Sequence, residues 1–516
     1  MCIIAAGFIN LKQGMSTIRK QSILSSIVIY IGFAIGLLNT YIFGREEYFT
    51  TEQYGLYSLF NALAVLFSSL ATFAMPAFIY KFFHYYKDHL PHRKNDMISW
   101  ALLISTAGFL LVLTAGLVFE NLIVRKYSEN SALFVQYYYW LFPLSFGLTI
   151  YTVLEAFALG LRKPVLMSFF KEVEWRLFTT VLLVLFMLGV VKDFDLFIKI
   201  YAFSYPAIAL SILIYLVVTK QIVFTFSISK VTRRFFKKIA IFSFFVYSST
   251  IVFSVAAVFD TLVVASVLDD GLAKAGILGL ATILTSVIQA PQRGVINASI
   301  SSLSRAWKGK DLRSLQHIYE RSSINLLIFS VVIFVLLALN YTEAIDTLKL
   351  KPEFKMGFYA FVFMGLTRIV DMGSGVNAQI IATSIYWRFE LITGFILMAC
   401  MLPLNYFLTI QFDITGPGIA NLISFTIYNG VRIWFLWHKF KLQPFSKNSL
   451  YALLVGAIVY AICHFAFSGI HGFPGLILRS TVALVLFVIC IWRFNLSPDV
   501  RPVLQTLLNR LQQMRK

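Results

Sequence analysis

The chain has 516 residues, of which 59% are hydrophobic and only 13% are charged. This balance excludes a water-soluble globular protein, since soluble domains carry about a quarter charged residues. The formal net charge of +20 does not indicate nucleic-acid binding, because the Lys and Arg residues lie in short segments between apolar runs rather than on one face of a soluble module. That distribution is typical of a membrane protein whose basic loops set its orientation.

Apolar runs follow one another along almost the whole chain. A membrane-spanning helix needs roughly 20 mostly apolar residues, so the sequence predicts an all-α polytopic membrane protein with about 14 transmembrane helices. In chain order, the predicted spans are 22–43, 54–80, 97–119, 133–160, 165–190, 194–219, 239–266, 275–303, 322–340, 356–384, 389–411, 416–437, 449–469 and 474–493.

Charges in the loops test this order of spans. Bases predominate in the predicted inner loops, which hold Lys81, Lys87, Arg93, Lys94, Arg162, Lys163, Arg233, Arg234, Lys237, Lys238, Arg305, Lys308, Lys310 and Arg313. Acids are more frequent in the predicted outer loops, which hold Glu46, Glu47, Glu52, Asp193, Asp269, Asp270 and Asp413. The alternation predicts an even number of spans with both termini in the cytoplasm.

Loosely similar segments indicate an internal repeat. Tyr54-Gly55-Leu56 corresponds to Ala275-Gly276-Ile277 at an offset of 221 residues (276 against 55). Many transporters consist of two such repeated bundles. The predicted organisation is a cytoplasmic N-terminus (1–21), a six-helix bundle (22–220), a basic linker (221–238), a second six-helix bundle (239–438), two additional transmembrane helices (449–493) and a cytoplasmic amphipathic tail (494–516).

Two further segments carry a resemblance to a known family. With the six, six and two helices, the turn Glu52-Gln53-Tyr54-Gly55 and the stretch from Pro403-Leu404-Asn405 to Gly416-Pro417-Gly418-Ile419-Ala420-Asn421 resemble an oligosaccharide flippase of the Wzx type. The superfamily of these flippases also holds multidrug-and-toxin exporters and the lipid II flippase.

The resemblance implies two bundles that rock about a central cavity. It implies a polyprenyl-diphosphate-linked oligosaccharide as the cargo, which is exported across the bacterial inner membrane for surface polysaccharide or lipopolysaccharide (O-antigen) synthesis. The implied partners are the lipid bilayer, a polysaccharide polymerase and glycosyltransferases. It implies no cofactor beyond a coupling ion.

Deep arginines are the candidates for binding the diphosphate. Arg293 lies within the eighth predicted span, after Pro291, and Arg368 lies near the middle of the tenth. A charge at the bilayer centre costs about 2.5–3.5 kcal/mol on insertion scales, so it usually faces a cavity or a partner. Arg offers a planar fork that matches phosphate oxygens. The alternative for Arg293 is an ion pair with Asp260 or Glu155.

Asp371, Asp260 and Glu155 are the candidate acidic residues. They serve either proton or sodium coupling or charge pairing, and the sequence leaves both open. Arg368 and Asp371 are three residues apart, so they lie on one helix face and can pair. Two more arginines, Arg432 and Arg479, lie close to span ends, where long side chains reach the interface.

Two other functions are alternatives to the flippase. An ion-coupled exporter of cationic drugs favours an acidic cavity, whereas the deep arginines favour an anionic substrate. A membrane glycosyltransferase or O-antigen polymerase needs catalytic groups on large outer loops, which the predicted topology lacks. The sequence therefore favours a transporter over an enzyme. His84, His89 and His92 share one basic loop without further metal-ligand spacing, so no metal site is predicted.

Overall fold

A computed structural model describes residues 17–161, 163–386, 388–497 and 499. All regular structure in these residues is helical, without a β-strand, which confirms the predicted all-α fold. Most of the predicted N-terminal segment 1–21 and most of the tail 494–516 lie outside the described residues.

The helices alternate with short connections along the chain. They are α1 (Thr17–Gly44), α2 (Thr51–Ala71), α3 (Met75–His89), α4 (Met97–Val118), α5 (Glu120–Tyr127), α6 (Ala132–Tyr137), α7 (Leu141–Gly160), α8 (Pro164–Ser168), α9 (Trp175–Met187), α10 (Phe194–Tyr201), α11 (Ser204–Val218), α12 (Lys230–Val267), α13 (Gly271–Lys308), α14 (Leu312–Thr347), α15 (Phe358–Gly373), α16 (Asn377–Ala382), α17 (Arg388–Phe412), α18 (Gly416–Phe440), α19 (Lys447–Ala466) and α20 (Gly472–Arg493). A π-helical turn, Phe169–Glu174, joins α8 to α9.

Within the described residues, 11 helical segments are long and apolar enough to cross a membrane. One of them, Arg388–Phe440, contains both α17 and α18, which a short 3₁₀ turn at Asp413–Thr415 separates. The chain is therefore a multi-pass membrane protein. The number of 14 spans stays a prediction.

Contacts divide the chain into two compact units. The first comprises the residues up to Phe49 together with Leu59–Val258, and the second comprises Thr50–Ser58 together with Phe259–Lys516. The predicted boundaries of the two six-helix bundles and of the added helices stay predictions.

Aromatic packing joins the end of α1 to α9 and α10 in the first unit. The Phe49 ring lies 4.6 Å from the Phe186 ring and 5.2 Å from the Phe197 ring, and Phe43 packs 4.9 Å away. Phe43, Phe49 and Phe197 are at most 3% exposed. Stacked and edge-on arrangements of this kind add to the burial of apolar area.

In the second unit, α19 and α20 pack on α14. Val331 and Val335 of α14 share a core with Val459 of α19 and Phe487 of α20. A polar contact fixes the other end, where Glu343 of α14 accepts hydrogen bonds from Arg479 Nη2 at 3.3 Å, from the Gly472 backbone at 2.6 Å and pairs with His471 at 3.0 Å. The last two helices are thereby part of this unit's core.

Gly55 and Gly276 meet at a close crossing in the second unit. A Cβ atom on Gly55 would overlap the Leu272 carbonyl oxygen, and one on Gly276 would lie 2.7 Å from the Thr51 carbonyl oxygen. Residues 51 and 272 are themselves 221 apart, so the contact is reciprocal at the offset that the sequence predicts. The backbones approach this closely because neither helix carries a side chain there.

We expect Gly55→Ala to destabilise the protein by about 1–3 kcal/mol, because a methyl group forced into a packed crossing shifts the backbone. Gly430→Ala is the matched control. It lies inside α18, where an added Cβ meets no atom within 4 Å, so alanine should stabilise the helix by up to about 1 kcal/mol. Unfolding of the purified protein in detergent measures both changes. Equal effects of the two substitutions would contradict the close crossing.

Candidate functional site

Asp260, near the end of α12, is the centre of a polar contact between three helices of the second unit. It accepts a hydrogen bond from Asn405 Nδ2 of α17 and another, at 2.5 Å, from Asn421 Nδ2 of α18. Thr409 Oγ1 in turn donates to Asn405 Oδ1 at 3.3 Å. Both amides are buried, so neutral donors hold the carboxylate, and no arginine of the described residues forms an ion pair with it within 4 Å.

Asp371 of α15 has a similar environment. It accepts from Gln292 Nε2 of α13 at 3.0 Å and from Asn429 Nδ2 of α18 at 3.3 Å. Asn377 Nδ2 donates to Asn429 Oδ1 at 2.9 Å, and Gln289 Nε2 donates to Gln292 Oε1 at 2.9 Å. An amide network thus surrounds the second carboxylate, and buried polar groups in a membrane are usually satisfied in this way.

Arg368 lies one turn before Asp371 on the same helix. It is half-buried and interacts electrostatically with both Asp371 and Asp260. Among the described residues, however, no hydrogen bond or ion pair within 4 Å joins its guanidinium to either carboxylate. The predicted Arg368–Asp371 pair is therefore not a direct ion pair in this structure.

Arg293 is exposed and follows Gln292, the residue that bonds Asp371. The helix α13 continues through Pro291 without a break. Within the described part of the chain Arg293 forms no ion pair with Asp260. The structure thus places Arg293 one residue after Gln292 on α13, with its side chain exposed.

Glu155 lies in the first unit. Its carboxylate pairs with Lys171 Nζ at 3.2 Å, and Lys171 belongs to the π-helical turn. Both line a cavity of about 250 Å³ whose walls include Trp175 and Tyr205, with stacked rings 5.2 Å apart. Glu155 therefore belongs to an ion pair that lines a cavity, whereas Asp260 and Asp371 accept hydrogen bonds from amides.

The sequence interpretation underestimated the burial of two arginines. Arg432 of α18 is only 3% exposed and forms an ion pair with Glu390 of α17. Its Nε donates to Thr393 Oγ1 at 3.2 Å and its guanidinium lies 3.7 Å from the centre of the Tyr428 ring. Arg479 is also buried, against Glu343. Each arginine pairs with an acid near the end of a neighbouring helix, Glu390 or Glu343. Those two acids were the signal in the sequence that could have indicated buried ion pairs.

Comparisons with known proteins agree with this fold. Residues 18–307 match the family described as "Polysaccharide biosynthesis protein". The structure is similar to that of the lipid II flippase MurJ in an inward closed conformation, with a TM-score of 0.75 and 13% identity over 92% of this chain and 98% of the other. No curated protein sequence matches.

A second solved structure is an inward-facing multidrug resistance MATE family transporter of the MOP superfamily. The TM-score is 0.61, with 15% identity over 83% of this chain and 96% of the other. At these identities the two likenesses show the fold alone, whereas the family match covers more than half of the 516 residues. The predicted likeness to this superfamily of flippases and exporters is confirmed at the level of the fold. The chain belongs to the polysaccharide biosynthesis protein family, and its fold is similar to those of the solved flippase and exporter.

Proposed function

We propose that the protein is a flippase that moves a polyprenyl-diphosphate-linked oligosaccharide from the cytoplasmic to the outer leaflet by alternating access. The cargo would feed surface polysaccharide or lipopolysaccharide synthesis. The family match supports the polysaccharide assignment, and the loop charges support an orientation with both termini in the cytoplasm. The proposed location is the inner bacterial membrane. A polymerase and glycosyltransferases would then act on the same pathway, after and before the transport step.

The availability of Arg368 carries the proposal that the cargo is anionic. A half-buried guanidinium without a direct ion pair among the described residues is costly in a membrane unless an anion binds it. A diphosphate offers several oxygens to its planar fork. Arg293, exposed near Gln292 on α13, is the second proposed ligand of the diphosphate.

Asp260 and Asp371 are the proposed coupling residues. Each carboxylate accepts hydrogen bonds from two neutral amides and forms no ion pair within 4 Å among the described residues, so each can take a sodium ion or a proton as its partner. Such intramembrane carboxylates usually belong to ion pathways. Glu155 is a weaker candidate, because Lys171 already compensates its charge.

The second candidate function is an ion-coupled multidrug exporter, which the likeness in fold to a MATE family transporter favours. A cationic drug would bind at a carboxylate such as Glu155 in the aromatic cavity of the first unit. The two functions make opposite predictions, since drug export should depend on Glu155 and cargo export on the arginines.

The test replaces Arg293 and Arg368 separately by Ala and by Lys in the native host. We expect Arg368→Ala to lower surface polysaccharide about tenfold, because charge-assisted hydrogen bonds contribute about 1.5–3 kcal/mol. Arg368→Lys should retain only part of the surface polysaccharide, since an ammonium group lacks the planar bidentate geometry of the guanidinium. Arg313→Ala, an exposed change at the start of α14, is the control. Unchanged polysaccharide in every variant, at equal amounts of protein in the membrane, would exclude both arginines from the cargo site.

A further inference from the structure

A second cavity of the first unit has no part in the proposed transport site. It measures about 370 Å³ and lies between α3, α4 and the beginning of α12. Its walls are mainly apolar and are formed by Met75, Phe78, Tyr86, Met97, Trp100, Ile104, Ile228, Thr232, Arg233, Phe236 and Ile239. Phe236 and Ile228 are more than half exposed at its edge, so apolar surface continues from the cavity to the outside of the helices.

The polar groups at one wall bond to one another, apart from Asp96 Oδ1, which is buried and has no hydrogen-bond donor among the described residues. The Tyr86 hydroxyl and Thr232 Oγ1 are 2.8 Å apart, and Thr232 Oγ1 donates to Asp96 Oδ2 at 2.8 Å. The backbone N–H of Ser229 donates to the same carboxylate oxygen at 2.8 Å. This cluster fixes the beginning of α12 against α3 and α4. It leaves few partners for the hydroxyl groups of a sugar.

Two polar groups of the lining remain for a ligand. Trp100 Nε1 is buried and has no hydrogen-bond acceptor among the described residues. Arg233 is exposed, and no ion pair of it occurs in the described part of the chain. The cavity therefore combines an apolar interior with one buried N–H donor and one guanidinium.

We propose that this cavity binds an anionic glycerophospholipid of the bilayer. One acyl chain fills the apolar interior, an ester carbonyl accepts from Trp100 Nε1, and the phosphate binds the Arg233 guanidinium. Basic pockets between transmembrane helices on the cytoplasmic side hold anionic head groups in this way. Arg234, Lys237 and Lys238 follow on the same helix and are exposed, so they attract the same lipids.

The lone N–H donor selects between classes of lipid. A glycerophospholipid has an ester carbonyl near its phosphate, whereas a polyprenyl phosphate has none. Leaving the buried indole N–H without an acceptor would cost about as much as a lost hydrogen bond. The site is thus distinct in chemistry from the one proposed for the cargo, and binding here does not depend on transport.

The test is native mass spectrometry of the full-length protein, stripped of lipid in detergent and titrated with phosphatidylglycerol. We expect Arg233→Gln to weaken binding about tenfold, and Trp100→Phe about threefold. A diether phosphatidylglycerol, which lacks the carbonyls, should bind the unaltered protein as weakly as the diester lipid binds Trp100→Phe. Ile104→Trp should block the cavity and abolish the complex.

Arg234→Gln is the matched control, because it removes the same charge from the next residue, outside the lining. If Arg233→Gln and Arg234→Gln weaken phosphatidylglycerol binding equally, the proposal is overturned in favour of diffuse electrostatic attraction to the basic surface. Equal binding of diester and diether lipids, unchanged binding by Ile104→Trp, or tighter binding of a polyprenyl phosphate than of phosphatidylglycerol would each overturn it as well. Both variants should fold, because Arg233 is exposed and Trp100→Phe keeps an aromatic ring at its position.

Discussion

Replacing Asp260 by alanine is expected to reduce translocation about a hundredfold, the upper part of the range for coupling free energies of about 1–3 kcal/mol. The substitution removes the carboxylate that Asn405 and Asn421 both contact. Two buried amides then lose their acceptor, and the proposed ion loses its charged ligand. Export of the cargo by cells or vesicles, with and without a sodium or proton gradient, measures the effect.

The Asp260→Asn variant separates the charge from the packing. It keeps the shape and one acceptor oxygen, so the protein should remain folded while transport ceases to respond to the gradient. Asp269→Asn is the matched control, since Asp269 is exposed just beyond the same helix. Retained gradient dependence in Asp260→Asn would show that this carboxylate is structural.

The sequence could predict the fold because a membrane imposes a simple rule. Every spanning segment must satisfy its own backbone hydrogen bonds, so apolar runs such as 194–219 and 449–469 correspond to helices, and loop charge supplies the proposed orientation. The offset of 221 residues related Gly55 to Gly276, but it did not predict that the two residues are in close contact. These signals are local or repeat along the chain.

The candidate site could be predicted only in part. Asp260 and the segment with Asn405 and Asn421 were each identified, but their hydrogen bonds join residues 145 and 161 positions apart. No periodic pattern encodes which face of one helix meets which face of another. The spacing of Arg368 and Asp371 likewise allowed an ion pair between them. In the structure, the amides of Gln292 and Asn429 contact the Asp371 carboxylate instead.

Arg432 shows a different limit of prediction from sequence. Its position along the predicted span indicated an environment at the membrane surface, which is wrong. Hydropathy places it near an end, where a long side chain can reach water. The structure instead surrounds it with Glu390, Thr393 and the Tyr428 ring. Depth along one helix does not determine burial against the next.

This environment makes Arg432→Met strongly destabilising. We expect a loss of about 3 kcal/mol in the free energy of unfolding, the lower end of the range for breaking a buried ion pair, since Glu390 keeps a quarter of its side chain exposed. Loss of the hydrogen bond to Thr393 alone would account for less, because hydrogen bonds between transmembrane helices average about 0.6 kcal/mol. Unfolding of the purified protein in detergent gives the value.

The double variant Arg432→Met with Glu390→Gln identifies the cause. If the uncompensated carboxylate dominates, neutralising Glu390 should recover more than half of the lost stability, and a double-mutant cycle should show strong coupling. Arg493→Met, at an exposed helix end, should change stability by less than about 0.5 kcal/mol. Additive effects of the Arg432 and Glu390 substitutions would contradict the ion pair. The lost stability would then come from the contact of Arg432 with the face of the Tyr428 ring, since a desolvated cation–π contact contributes about 2 kcal/mol.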